Sequence, residues 1–250
     1  MFVICFGARK TGSTLSFQLV SALLEARGHE QAGIPPGAVD EDRVQHFAPA
    51  AWGAAPAWLA TLESHAADPR LHAIKFHGPC TPALAALIDA GKVKAVVNTR
   101  DPRDSVLALR DAGRRNSSGP FSNITGMGDA LEAARAGCEV TRGWLREQVF
   151  VADYEQLAFD PACFFARAAR YLQLAAPAAE EARELHARAA AATATRNVMR
   201  PRRFLHDWTT AQAALYSEVL REELAGLSAF PGATTAGVSY PALKLPPAPK

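Results

Sequence analysis

The stretch FVICFGARKTGSTL, residues 2–15, confines this part of the chain to one local shape. FVICF is wholly apolar and runs straight into Gly7, as suits a strand buried on both faces of a parallel sheet. From Ser13 to Arg27, Leu15, Leu19, Leu23 and Leu24 recur at helical spacing, and Gly28 stands where a C-cap belongs. The turn GARKTG therefore lies between a strand and a helix, where backbone N–H groups and the helix dipole form a nest for anionic oxygens. It nearly spells G-x-x-x-x-G-K-[ST], but Ser13 fills the lysine position and Lys10 comes three places early. In an ATP-hydrolysing loop the lysine reaches the terminal phosphates and the next hydroxyl holds magnesium. Lys10 is placed instead to sit over a bridging oxygen, where charge appears when the bond to that oxygen breaks.

The same alternation continues. LHAIKF (71–76), VKAVVNT (93–99) and QVFVADY (148–154) read as strands. Helices are expected around Trp58 and Leu62, at 81–91, within 101–115 with Pro102 in its first turn, and at 129–146, 161–174, 178–192 and 209–227. Residues 32–47 carry turn chemistry and read as a long loop, and NVMRPRRFLHDW (197–208) reads as basic and irregular. Strands alternating with helices predict an α/β fold in three layers, a central mostly parallel sheet flanked by helices, like that of P-loop NTPases. At 250 residues one domain is expected over 1–240, followed by a proline-rich tail at 241–250.

A net charge of +2 speaks against a general nucleic-acid binder. The four cysteines, Cys5, Cys80, Cys138 and Cys163, are widely spaced and read as reduced or buried thiols, with no metal site expected. FVICF is too short to span a membrane, so the cytoplasm is the expected location.

Arg9-Lys10-Thr11-Gly12-Ser13-Thr14 resembles the 5′-phosphosulfate loop (P-K-S-G-T-T or P-R-S-G-S-T) of the sulfotransferases that use 3′-phosphoadenosine 5′-phosphosulfate, PAPS. Two further segments extend the resemblance. Arg100-Asp101-Pro102-Arg103-Asp104 follows a strand as that family's R-[ND]-P-[KR]-D does, which implies that Arg100 binds the nucleotide's 3′-phosphate. The family serine eight residues later is Ala108 here, and Ser105, one helical turn earlier, is the expected substitute. IKFHGP (74–79) is similar to K-T-H-L-P, which implies His77 as the general base with Lys75 beside it. Histidine suits that role because its ordinary pKa of about 6.5 lets it take a proton near neutrality. VADYEQLAFDP resembles a family segment that builds the sheet. MRPRRFLHDWTTAQ looks like a diverged nucleotide-covering segment, which implies positive charge from Arg200, Arg202 and Arg203 near the 3′-phosphate and Trp208 at the same place.

The resemblance implies sulfuryl transfer from PAPS, leaving the 3′,5′-bisphosphate PAP, with no metal required. Lys10 would assist departure, His77 would deprotonate the acceptor, and the loop would hold the 5′-phosphate. Asp40, Glu41 and Asp42 are the next candidates for the base. A small molecule or a glycan is expected as acceptor, in a pocket walled by 32–53 and 115–128 with Phe47, Trp52 and Phe121. Two rivals stand beside this reading. One is a P-loop kinase of small molecules, for which Asp101 and Asp153 are the only stand-ins to hold magnesium. The other is a non-catalytic nucleotide-binding regulator.

Overall fold

The computed structural model describes residues 1–40, 46–115, 120–193 and 202–228. Glu41, Asp42, Arg200 and the tail at 241–250 lie outside the described residues. The chain runs β1 (Phe2–Gly7), α1 (Ser13–Ala26), β2 (Phe47–Ala48), a 3-10 turn (Ala50–Ala54), α2 (Pro56–Ser64), β3 (His72–Phe76), α3 (Pro82–Asp89) and β4 (Val93–Thr99). It continues with α4 (Pro102–Arg115), α5 (Met127–Arg142), β5 (Phe150–Asp153), α6 (Tyr154–Phe159), α7 (Pro161–Leu172) and α8 (Ala179–Ala192). Three short helices follow: α9 (Phe204–Asp207), α10 (Thr210–Val219) and α11 (Arg221–Ser228).

The five strands lie in the order β2-β3-β1-β4-β5, and every pairing is parallel. Alternation along β1 separates two cores. Val3 and Cys5 face α1, α7 and α8 with Ala73 and Val96, whereas Phe2, Ile4 and Phe6 face α2, α3 and Trp144. Both faces are covered, which is why β1 reads as an unbroken apolar run. A third cluster joins α4, α5 and α9–α11 through Leu107, Ala134, Phe204 and Trp208. This is the expected three-layer α/β architecture.

Several boundaries differ from the sequence reading, and α9 lies in the stretch expected to be irregular. β2 starts at the last residue of the expected loop, and its two residues, paired with Lys75 and Phe76, are too few to show a period. β5 stops at Asp153, because that carboxylate accepts from the Glu155 amide (2.8 Å) and caps α6. The helix expected at 129–146 spans Met127–Arg142, and the one expected at 209–227 is broken at Leu220.

Candidate functional site

A parallel sheet brings all its C-terminal strand ends to one edge, and the strand order reverses where β3 and β4 flank β1. Gly7 closes β1, and His77, Arg100 and Tyr154 follow β3, β4 and β5. The glycine loop is locked in place from β4. Asn98 Nδ2 donates to Thr11 O (2.9 Å) and Thr11 Oγ1 (2.8 Å), while Thr11 Oγ1 donates to Ala8 O (2.7 Å). A Cβ on Gly7 would lie 2.1 Å from Asn98 Oδ1, so a larger residue would push this clamp aside. Gly12 has φ 99°, and its Cβ would meet the Tyr154 ring at 2.7 Å. Among the described residues no side chain caps α1 at Gly12, so a ligand can approach the start of the helix.

Cations converge on this loop. Lys75 is buried, and its Nζ donates to Thr14 Oγ1 (2.9 Å) in the first turn of α1. Burial pushes its pKa down to about 8, and the charge of Lys10 adds to the effect. Lys10, half-buried with φ 66°, holds its Nζ 4.6 Å from the centroid of the Phe121 ring. Its pKa is lowered by burial and then by Arg115. Arg100 is buried, donates from Nη1 to Lys10 O (3.0 Å), and lies 4.0 Å from the Tyr154 ring and 3.9 Å from the Asp104 carboxylate. Among the described residues its Nε has no hydrogen-bond partner. An orphaned guanidinium N–H beside an uncapped helix start fits an anionic phosphate. Ser105 lines the same cleft as Arg100, with the loop on one side and Gly137 and Cys138 of α5 on the other. The space is about 300 Å³ counted to its open mouth, and little of it is enclosed.

His77 Nδ1 lies 2.6 Å from Gly7 O. A carbonyl oxygen only accepts, so Nδ1 carries the hydrogen and Nε2 presents a lone pair. Burial lowers the His77 pKa to about 4, the charges of Lys75 and Arg9 add to this, and the Gly7 bond opposes it. The ring is therefore neutral and proton-accepting at neutral pH. Phe47 flanks it at 5.6 Å between centroids, and the backbone amide of Asp40 donates to Phe47 O (2.9 Å).

No protein-family model and no curated protein matches the chain. Solved structures do. Mouse sulfotransferase SULT7A1, complexed with PAP, matches over 89% of this chain and 84% of its own at 14% identity, with a TM-score of 0.47. A retinol dehydratase in complex with androsterone and the inactive cofactor PAP matches over 89% of this chain and 80% of its own at 15% identity, with a TM-score of 0.54. The chain has the sulfotransferase fold.

Within that fold the sequence-expected residues divide. Lys10, Thr11, Gly12, Ser13, Thr14, Lys75, His77, Arg100 and Ser105 gather at the one sheet edge, with Arg9 at its rim. Arg203 does not join them. Its guanidinium pairs with Asp111 (2.6 Å) and Asp207 (2.5 Å), carboxylates on α4 and α9, and Arg203 is not among the residues that line the cleft. Arg202, with φ 46°, donates its backbone N–H to Glu155, beside Tyr154. Trp208 packs at a tilt against Tyr216 (4.7 Å between ring centroids) in the third cluster.

The sequence reading missed two residues. Asn98 is the clamp on the loop, and its amide in an otherwise apolar strand end was the available signal. Tyr154, assigned to sheet building, packs on Gly12 and carries the Arg100 guanidinium. The two carboxylates that a kinase would need are engaged elsewhere. Asp101 is held by Arg103 (Nη2 2.6 Å, Nε 3.0 Å), and Asp153 caps α6.

Proposed function

We propose that this protein transfers a sulfuryl group from PAPS to a hydroxyl or amine of a small-molecule or glycan acceptor, working in the cytoplasm. The observation that carries the reading is the convergence at one sheet edge of a glycine loop with no side-chain cap, an Arg100 Nε that has no partner among the described residues, and a histidine whose Nε2 carries the lone pair. The donor, when bound, supplies an activated sulfuryl group on its 5′-phosphate. The backbone of residues 9–14 with the Ser13 and Thr14 hydroxyls would hold that phosphate, and Arg100 with Ser105 would hold the 3′ end. Because little of the cleft is enclosed, the adenosine would lie along its mouth.

His77 Nε2 takes the acceptor's proton as the new O–S bond forms. The S–O bond to the 5′-phosphate breaks with its electron pair left on the phosphate oxygen, where the Lys10 ammonium neutralises it. Lys75, set on Thr14, adds a second positive charge beside the loop. The products are the sulfated acceptor, PAP and one proton, which His77 passes to solvent.

Thermal-shift titration with PAP, PAPS, ATP and GTP, each with and without magnesium, tests the donor. Stabilisation by PAP in the absence of metal is expected, and a requirement for ATP with magnesium would transfer the chain to the kinases. Labelled PAPS offered with an acceptor panel then tests the chemistry. Tight PAP binding with no transfer to any acceptor would indicate the non-catalytic regulator.

A further inference from the structure

Arg9 is the loop residue whose side chain the anion nest does not use. The nest works through backbone N–H groups, whereas Arg9 Nη1 turns to residue 120 and donates to Pro120 O (3.2 Å). Its guanidinium carbon lies 5.9 Å from the centroid of the Phe121 ring, over which Lys10 Nζ also stands at 4.6 Å. Arg9 is exposed, and among the described residues no carboxylate lies within ion-pair distance of Arg9 or Lys10. The acidic groups on neighbouring elements are committed. Asp111 is held by Arg110 and Arg203, and Asp129 accepts from Thr125 and Gly126.

Two cations over one ring, with the charge of Arg115 also felt at Lys10, repel one another unless a ligand neutralises them. The donor's own charges have the nest, Lys10, Lys75 and Arg100 to meet them. Arg9 borders the cleft that also holds Arg100 and Ser105, but its guanidinium lies against Pro120 and the Phe121 ring, and its charge is felt at His77, where the acceptor hydroxyl would sit. It also occupies the position that is proline in the loop pattern of the resembled family, so the cation is a property of this chain.

We propose that the acceptor carries an oxyanion group, which Arg9 binds against Phe121 while the acceptor's hydroxyl addresses His77 Nε2. This rests on the sulfuryl-transfer reading. A carboxylate suits it because the planar guanidinium fork matches two coplanar oxygens, and a sulfonate offers the same pair of acceptors.

The test uses the full chain saturated with PAP and three probes of one size: 4-hydroxybenzoate, 4-hydroxybenzenesulfonate and the uncharged methyl 4-hydroxybenzoate. Calorimetry measures binding to the PAP complex, and labelled PAPS measures turnover of the same probes. The wild type is expected to favour either anion over the ester about tenfold in affinity and in kcat/KM, chiefly through KM. The ratio is read rather than the absolute rate, so general damage to the loop cancels. Arg9→Gln is expected to bring that ratio close to one, and Arg9→Lys to retain part of it, because charge persists while the fork is lost. A wild-type ratio near one, no binding of any probe to the PAP complex, or a preference that survives Arg9→Gln overturns the proposal. Failure of PAP to stabilise the wild type would instead remove the sulfuryl-transfer reading on which it stands.

Discussion

β3 carries a histidine at each end. His72 opens the strand, is fully buried, and among the described residues neither ring nitrogen has a hydrogen-bond partner; its Nε2 lies 3.7 Å from the Asp68 carboxylate. His77 follows the strand's other end, half-buried, with Nδ1 on Gly7 O and Nε2 open. Burial lowers the pKa of both. What separates them is the direction of the sheet. Its C-terminal edge meets the uncapped start of α1, whereas at the N-terminal edge the chain's first amino group closes the space by donating to Asp68 O and Arg70 O. A depressed pKa alone therefore marks burial, and a fixed tautomer with one free nitrogen marks a site.

The contrast is open to attack first through turnover. His77→Ala and Lys10→Ala are each expected to lower the transfer rate on the order of a hundred- to a thousandfold, measured with labelled PAPS. His72→Leu is expected to leave that rate unchanged, and an equal loss there would erase the distinction between the two strand ends. A smaller effect is expected at Arg100. Its replacement by alanine is expected to weaken PAP binding by about 2 kcal/mol, as for loss of a charge-assisted hydrogen bond, read as a reduced thermal shift.

Gly12→Ala probes whether the loop is as rigid as its clamps suggest. Positive φ and the Tyr154 contact together are expected to cost about 1–3 kcal/mol in chemical denaturation, with PAP affinity falling alongside. Unchanged stability would mean that the loop adapts around the new methyl group.

The smallest expected effect is in pH dependence. Both histidines titrate below the ordinary value of 6.5 in the folded chain, His77 at about 4. As pH falls below 6.5, the unfolded chain binds protons that the folded chain refuses, so their contribution to stability is full above that pH and declines towards about 4. Denaturation midpoints at pH 5 and pH 7 are expected to differ less in His72→Leu than in the wild type. An unaltered slope would show that His72 titrates alike in both states.

Much of the site was legible because its parts are local. A glycine loop between strand and helix, R-D-P-R-D after a strand and K-F-H at a strand end each occupy a few consecutive residues, and strand ends converge in any parallel sheet. The parts that escaped depend on distant partners. Asn98 reaches across from β4 to Thr11, and Tyr154 arrives from β5 to meet Gly12 and Arg100. Arg202 and Arg203 are neighbours in a basic run, yet Arg203 is drawn to Asp111 and Asp207 while Arg202 stays by Glu155.

Period, apolar runs and turn residues were enough to settle the layers of this fold and the place of the loop between β1 and α1, since those preferences act over a few residues of backbone. Which cations remained unpaired, which ring nitrogen stayed open and where Arg9 pointed depended on what lay beside them in space. Electrostatics and burial act through distance, and the chain's order does not encode distance between residues 90 or 111 positions apart.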